Sequence, residues 1–331
     1  MGGSLLQKEI LVTGGAGFIG SNFIRFLLSD SSNNITNLDS LTYAGNTQTI
    51  KTFHFSNNYR FIRCDIANKD QLAIAFDRKY DWIINFAAES HVDRSIIQAL
   101  PFVNTNVTGT INLLQAVLEG KASKMLQIST DEVYGALSEE DHAFTEMTPL
   151  SPNNPYSASK ASADLFVRAF VKTYNLPIII TRCSNNFGPY QHPEKLIPKA
   201  IISAINNQKI PLYGDGLQRR DWLYVKDHCR AIKSVIEGGE TGEVYNIGGG
   251  FECTNKEIVM YILKYLGKSE DLIDYVKDRK GHDRRYAINH AKIEQELGWK
   301  PKFSFYESLV ETIEWYKQNQ VWINETNEWG D

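Results

Sequence analysis

The chain has 331 residues, 42% hydrophobic and 22% charged, which is enough to bury one large or two moderate cores and is not the composition of a disordered protein. A net charge of -4 leaves no excess of Lys and Arg to neutralise a nucleic-acid backbone or an anionic membrane, although small anionic ligands remain open. Four scattered cysteines, Cys64, Cys183, Cys229 and Cys253, form no CxxC pair, and no His stands at metal-ligand spacing. Buried reduced thiols, no bound metal and a cytoplasmic setting are the expectation. The opening MGGSLLQKEI lacks a cationic-then-apolar leader, and no run of about eighteen apolar residues occurs.

In chain order, short β-branched runs fall at Glu9–Thr13, Ile35–Leu38, Tyr59–Cys64, Asp81–Phe86, Lys124–Ser129 and Ile178–Thr181. Between them, helical periodicity covers Phe18–Leu28, Gln71–Phe76, Val103–Leu118 and Ala158–Tyr174. This alternation predicts an α/β, Rossmann-type doubly wound parallel sheet, with ligands bound along the edge where the strands end. After about Asn185 the pattern breaks into Pro- and Gly-punctuated pieces, then helices near Asn255–Leu266 and Tyr306–Gln318. The expected division is a dinucleotide-binding domain over 1–184 and a smaller C-terminal α/β lobe over 185–331. Trp222–Ile236 and Val244–Ile247, near 222–250, read as elements returning to the sheet.

The first strand runs into Gly14-Gly15-Ala16-Gly17-Phe18-Ile19-Gly20, whose glycines at 14, 17 and 20 have GxxGxxG spacing. Missing Cβ atoms allow a tight turn and close approach of a pyrophosphate, and the helix that follows offers N–H donors at its start. Alone such a run could be an ordinary loop, but here strand, loop and helix occur in the required order. Asp39 ends the second strand, where a carboxylate accepts hydrogen bonds from a ribose diol and repels a 2′-phosphate. With no Arg obvious nearby, NAD is favoured over NADP. On topology together with the family resemblance given below, Asp65 and Ile66 would face the adenine and Ala87, Ala88, Glu89 and Ser90 the nicotinamide side, with Phe86 among the implied NAD contacts.

Tyr156 and Lys160 form Tyr-x-x-x-Lys at a helix start, on one face of that helix. A cation one turn away favours the phenolate, so Tyr156 could take a proton from a hydroxyl; an isolated YxxxK would more often be a solvated face. Ser129-Thr130-Asp131-Glu132 follows the fifth strand. Thr130 suits a hydrogen bond to the reacting oxygen. Hydride transfer at a carbinol needs neither carboxylate, whereas eliminating water across a carbon pair needs an acid and a base, which Asp131 and Glu132 could supply. The bland alternative is a pair of acids capping the next turn.

The segments TGGAGFIGSNF, DSLTYAGN, FAAESHVDRS, STDEVYG, PYSASKA, SNNFGPYQ, EKLIP and RDWLYV together resemble the NAD-dependent nucleotide-sugar 4,6-dehydratases of the extended short-chain dehydrogenase/reductase family, in particular those acting on thymidine-diphosphate-glucose. The resemblance covers nearly the whole chain. It implies a lyase that oxidises C4, eliminates water across C5–C6 and returns hydride to C6 on a retained NAD, in deoxysugar biosynthesis of the rhamnose type. It assigns Thr130, Tyr156 and Lys160 to the oxidation, Asp131 as acid at the C6 hydroxyl and Glu132 as base at C5. Ser40, Leu41, Thr42, Thr105 and Asn186 join the implied NAD contacts. Ser90, Thr130, Asn185, Lys195, Leu196, Pro211, Tyr213, Arg220, Asn255, Arg279 and His282 are implied for the sugar nucleotide. Arg220 and Arg279 are the bidentate donors a diphosphate needs. Lys280 replaces the family's usual Pro, and Ser40 stands where Lys is common. A homodimer through the helix carrying Tyr156 is also implied.

Competing readings are a uridine-diphosphate-glucose 4,6-dehydratase, a nucleotide-sugar 4-epimerase, which needs no elimination pair, and a uronate decarboxylase, which needs additional Arg. Outside enzymes stands an NAD-sensing scaffold, which needs none of the intact constellation.

Overall fold

A computed structural model of the chain describes residues 8–29, 33–279 and 281–327. Lys280 lies outside them, so its effect on the neighbouring loop does too. The strands are β1 Lys8–Thr13, β2 Asn33–Asp39, β3 Tyr59–Arg63, β4 Tyr80–Asn85, β5 Ala122–Thr130, β6 Ile178–Cys183, β7 Asn185–Phe187, β8 Ile210–Tyr213, β9 Arg219–Tyr224, β10 Val244–Ile247, β11 Glu252–Thr254, β12 Ile273–Val276 and β13 Arg285–Tyr286. Seven of them form the expected central sheet in the order β10-β6-β5-β4-β1-β2-β3. The pairings β1 with β2, β1 with β4, β2 with β3 and β4 with β5 are parallel. Strand order therefore reverses at β1, and the crevice where ligands collect lies beyond the ends of β1 and β4.

Two compact units divide the chain. The first comprises the described residues within 1–130, 154–182 and 232–245, the second those within 131–153, 183–231 and 246–331. The units are interleaved along the chain, 131–153 grouping with the second and 232–245 with the first. In the first unit Leu11, Leu38, Ile83, Leu113, Leu114 and Met125 are fully buried in one cluster. Each contributes on the order of 1.5–3 kcal/mol relative to an exposed side chain. This rigid base fixes where the strand ends point.

The second unit is built from short pieces. Strand β9 pairs antiparallel with β11 and parallel with β13 and β7, and β8 pairs with β12. Its helices bury Ile197 and Ile201 on Leu196–Ile205, Ile258 and Ile262 on Asn255–Leu266, and Leu309 and Ile313 on Phe305–Gln318. A full capping box, Thr254 with Glu257, starts Asn255–Leu266, and Gly267 in the left-handed region ends it.

Two expectations need correction. Val103–Leu118 is not one α-helix: Val103–Gly109 is a π turn, and only Thr110–Leu118 is α-helical. Trp222 does not return to the large sheet, because β9 belongs to the smaller one; Val244–Ile247 does return, beside β6. Among the described residues no helix is long and apolar enough to cross a membrane.

Candidate functional site

The first unit carries the glycine loop. Gly14 leaves β1 at φ 70, with its N–H on the Leu38 carbonyl at 2.8 Å. A Cβ there would stand 2.7 Å from the Ala87 nitrogen, and one at Gly20 would overlap the Gly14 carbonyl oxygen, so both positions exclude a side chain. Gly17 caps the helix Phe18–Leu28 without any side-chain hydrogen bond, and the first turn holds no acid. The opening N–H groups, including those of Phe18 and Ile19, thus keep an uncompensated positive end, which fits the pyrophosphate of a dinucleotide.

Asp39 is buried at the end of β2, accepting hydrogen bonds from the backbone N–H groups of Ala16 (2.9 Å) and Leu41 (2.8 Å). Burial raises its pKa, and these two bonds oppose the rise. Leu41 sits at φ 55, a conformation its bond to Asp39 helps to hold. Ser40 and Leu41 are half-buried and Thr42 is exposed. One sequence expectation fails here: Arg63 does lie nearby, its Nε donating to the Ser40 carbonyl at 3.4 Å. The NAD preference therefore rests on the buried Asp39 carboxylate rather than on a lack of arginine.

Asp65 follows β3 and accepts from the Ala67 N–H at 2.9 Å, and Ile66 is buried. Phe86, Ala87, Ala88 and Ser90 form a half-buried stretch after β4, and Thr105 lies half-buried in the π turn. Sequence reasoning missed Asn106. Its side chain accepts from Glu89 N–H (2.9 Å) and donates to the Glu89 carbonyl (3.0 Å) and Ser159 Oγ (2.8 Å), tying the 87–90 stretch to the helix Pro155–Tyr174. No motif marks an Asn that works only through a wide helical turn.

That helix starts with Asn154, which caps the Ser157 N–H at 2.9 Å, and Pro155. Tyr156 is 9% and Lys160 5% exposed. The Tyr156 N–H donates to Ser95 Oγ at 3.2 Å, and its ring meets Phe102 edge-on at 6.3 Å. Lys160 Nζ donates to the Ile128 carbonyl in β5 at 2.7 Å, which fixes a cation two residues before Thr130 on that strand. Thr130 closes β5 and is buried. One helix and one strand end thus hold the three groups implied for oxidation.

In the second unit, Asp131–Tyr134 is a single 3-10 turn, with Asp131 buried and Glu132 half-buried. The turn is held by the Val133 carbonyl, which accepts from Ser151 N–H at 3.0 Å, and by Tyr134, whose hydroxyl reaches Asn246 Oδ1 at 2.8 Å. The two acids open this pinned 3-10 turn.

Apart from Ser90 and Thr130, which belong to the first unit, the residues implied for the sugar nucleotide lie on several elements of this unit. Asn185 and Asn186 form β7; Asn186 donates to the Ser184 carbonyl (2.9 Å), and its Oδ1 meets His228 Nδ1 at 2.8 Å. With the amide nitrogen so committed, His228 must donate from Nδ1, and burial drives its pKa down to about 3. Lys195 is the N-cap of the helix that Leu196 opens. Pro211 and the exposed Tyr213 lie on β8, and Tyr213 meets the His282 ring edge-on at 6.0 Å. His282 Nδ1 is 2.6 Å from Asp278 Oδ1; burial and the Arg279 charge push its pKa down to about 4, so the ring is neutral at pH 7. Asn255 opens its helix with its N–H on the Gln218 carbonyl at 3.0 Å. Arg279 keeps a buried Nε with no hydrogen-bond partner among the described residues. Arg220 is 5% exposed in β9.

The profile of the GDP-mannose 4,6 dehydratase family matches residues 11–312. Low-salt glycan biosynthesis protein Agl12 of Haloferax volcanii is 52% identical, over 93% of this chain and 98% of its own. A dTDP-glucose 4,6-dehydratase of Streptomyces niveus is 48% identical, over 95% of this chain and 94% of its own. The crystal structure of DesIV, a dTDP-glucose 4,6-dehydratase from Streptomyces venezuelae with NAD and TYD bound, superposes with a TM-score of 0.93 at 47% identity, covering 96% of this chain and 99% of that one.

Proposed function

The chain belongs to the GDP-mannose 4,6 dehydratase family, and from that premise we propose that it is an NAD-dependent hydro-lyase converting dTDP-glucose to the 4-keto-6-deoxy sugar. The observation that carries this reading is the pair Asp131 and Glu132 on the pinned turn directly after Thr130, since an epimerase has no use for an elimination acid and base. NAD, held by the Gly14–Gly20 loop and Asp39, would accept hydride from C4 and return it at C6. Tyr156 takes the C4 hydroxyl proton, and the cation of Lys160, anchored on the Ile128 carbonyl, favours the phenolate that does so. Thr130 donates to the same oxygen. A C4 ketone acidifies the C5 proton; Glu132 removes it while Asp131 protonates the departing C6 hydroxyl, so water leaves, and as hydride reaches C6 Glu132 returns its proton to C5, the proton gained by Tyr156 and the one lost by Asp131 being exchanged through solvent so that charge balances over the cycle. Arg220 and Arg279 supply the charge for the diphosphate, and Asn185, Lys195, Leu196, Pro211, Tyr213, Asn255 and His282 the remaining substrate contacts.

In this reading the first unit binds the cofactor, the second the sugar nucleotide, and the product enters deoxysugar synthesis of the rhamnose type in the cytoplasm. The chain acts as a homodimer. Supporting this, Ile96, Ile97, Leu100 and Val103 stand exposed in the first unit, together with Leu165 and Phe166 on the helix of Tyr156.

The test is to incubate purified protein, without added NAD, with dTDP-glucose or UDP-glucose and follow mass. Loss of one water from dTDP-glucose, faster than from UDP-glucose, is expected. Constant mass with interconversion of glucose and galactose forms would replace this reading with an epimerase.

A further inference from the structure

Arg220 is almost wholly buried, yet among the described residues its hydrogen-bond partners are neutral carbonyls: Arg219 (2.8 Å) and Arg284 (3.3 Å) from Nη1, and Asp283 (2.9 Å) from Nη2. A buried cation with only neutral partners is costly to keep unless a charged group completes its environment. Burial lowers its pKa, Glu132 and Asp131 acting against that. Three of the five guanidinium N–H donors are spent on the backbone, leaving two in a fixed direction.

Those three bonds orient the guanidinium, and Tyr286 backs it from one side. Strands β9 and β13 run parallel with Arg220 opposite Tyr286, so both side chains stand on one face. The guanidinium carbon lies 4.4 Å from the Tyr286 ring centroid. The ring cannot swing away, because its hydroxyl donates to Asp283 Oδ2, and Asp283 Oδ1 accepts from Asn153 Nδ2 at 2.7 Å. Burial, then the charges of Glu132 and Asp283, raise the phenol pKa, so it stays a donor and never serves as a base. Asp283 thus holds the cation with its carbonyl and the ring beneath it with its carboxylate.

We propose that Tyr286 is a positioning residue for substrate, locking Arg220 so that its two remaining donors meet the diphosphate of the sugar nucleotide without prior reorganisation. The inference rests on the dehydratase reading above for its ligand. A preset guanidinium binds oxyanions more tightly because its rotamer entropy is already lost. Tyr286 acts only through Arg220, and this separates it from a merely structural tyrosine.

The experiment is a double-mutant cycle on the NAD-loaded protein, with thymidine diphosphate titrated calorimetrically into the parent, Tyr286→Leu, Arg220→Met and the double variant. Tyr286→Leu should weaken binding about tenfold and raise KM for dTDP-glucose similarly, with kcat nearly unchanged. In the Arg220→Met background the same change should have almost no further effect. Additive losses in the cycle overturn the proposal, as does a fall in kcat at constant KM. Should Tyr286→Leu lose its NAD or its circular-dichroism spectrum, Tyr286→Met takes its place in the cycle, with the same two outcomes. A parent that binds no thymidine diphosphate removes the dehydratase reading itself, whereas a parent that binds it and gives an additive cycle removes only the role of Tyr286.

Discussion

Replacing Gly14 by alanine puts a methyl group 2.7 Å from the Ala87 nitrogen, 2.8 Å from its Cα and 2.9 Å from the Phe86 carbonyl carbon. All three are backbone atoms, so nothing can rotate aside; relief requires the ends of β1 and β4 to part. The left-handed φ of 70 costs alanine about 1–2 kcal/mol, and the overlap about 1–3 more. A sum of about 2–5 kcal/mol lowers the melting temperature by roughly 3–7 °C in a protein of this size. If part of that strain is relieved by moving the phosphate-binding N–H groups, even 2 kcal/mol weakens NAD about thirtyfold. Gly17→Ala is the internal control. Its Cβ would meet only the Gly14 carbonyl oxygen at 3.3 Å, so it should keep the melting temperature of the cofactor-free protein while losing NAD through obstruction. Calorimetry and NAD extracted per chain measure both effects. Gly14→Ala protein carrying one NAD per chain and melting with the parent would refute the reasoning.

The buried pair Asp164–Arg182, 2.9 Å apart, ties the helix of Tyr156 to β6. Asp164→Ala should cost about 3–5 kcal/mol in urea unfolding by stranding the arginine, and adding Arg182→Met should recover most of it; equal losses in both variants would sink the idea. Burial holds the Asp221 carboxyl at about 6, where it accepts from the N–H groups of Gly249 and Phe251. The folded state then keeps a proton that the unfolded state releases near 4, so this group's contribution to stability declines as pH rises from about 4 to 6. Asp221→Asn lacks that decline, and its stability relative to the parent should improve by about 3 kcal/mol between pH 4 and 7; a flat difference across pH would contradict the shift. Leu100→Asp should shift the protein toward monomer in sedimentation equilibrium, and a parent already monomeric would end the dimer proposal.

Much of the first unit was legible because its signals are local. Phe18–Leu28 carries its own periodicity and glycine loop, and Asp39 stands at a strand end readable from β-branched residues alone. Tyr156 and Lys160 needed only helical spacing. The π turn was not legible, since Asn104, Thr105 and Asn106 contribute no apolar period that would distinguish five-residue from four-residue bonding. Arg63 beside Ser40, and Tyr286 beneath Arg220, come from strand pairings between segments distant in sequence, which no local pattern encodes. Elements as short as Asn185–Phe187 or Arg285–Tyr286 exist only because β9 is there to pair with them.

A π turn carries one more residue than an α turn over a similar rise, so Val103–Gly109 is equivalent to a single-residue insertion in an α-helix. Removing Val103 or Asn104 would restore regular pitch and carry Asn106 about 100° around the axis, away from Glu89 and Ser159 together. Chain length at this point, rather than side-chain chemistry, thus sets the spacing between the 87–90 stretch and the helix of Tyr156. Among descendants of this sequence, loss of one codon there would be as consequential as loss of a catalytic group, although every functional side chain would still be encoded.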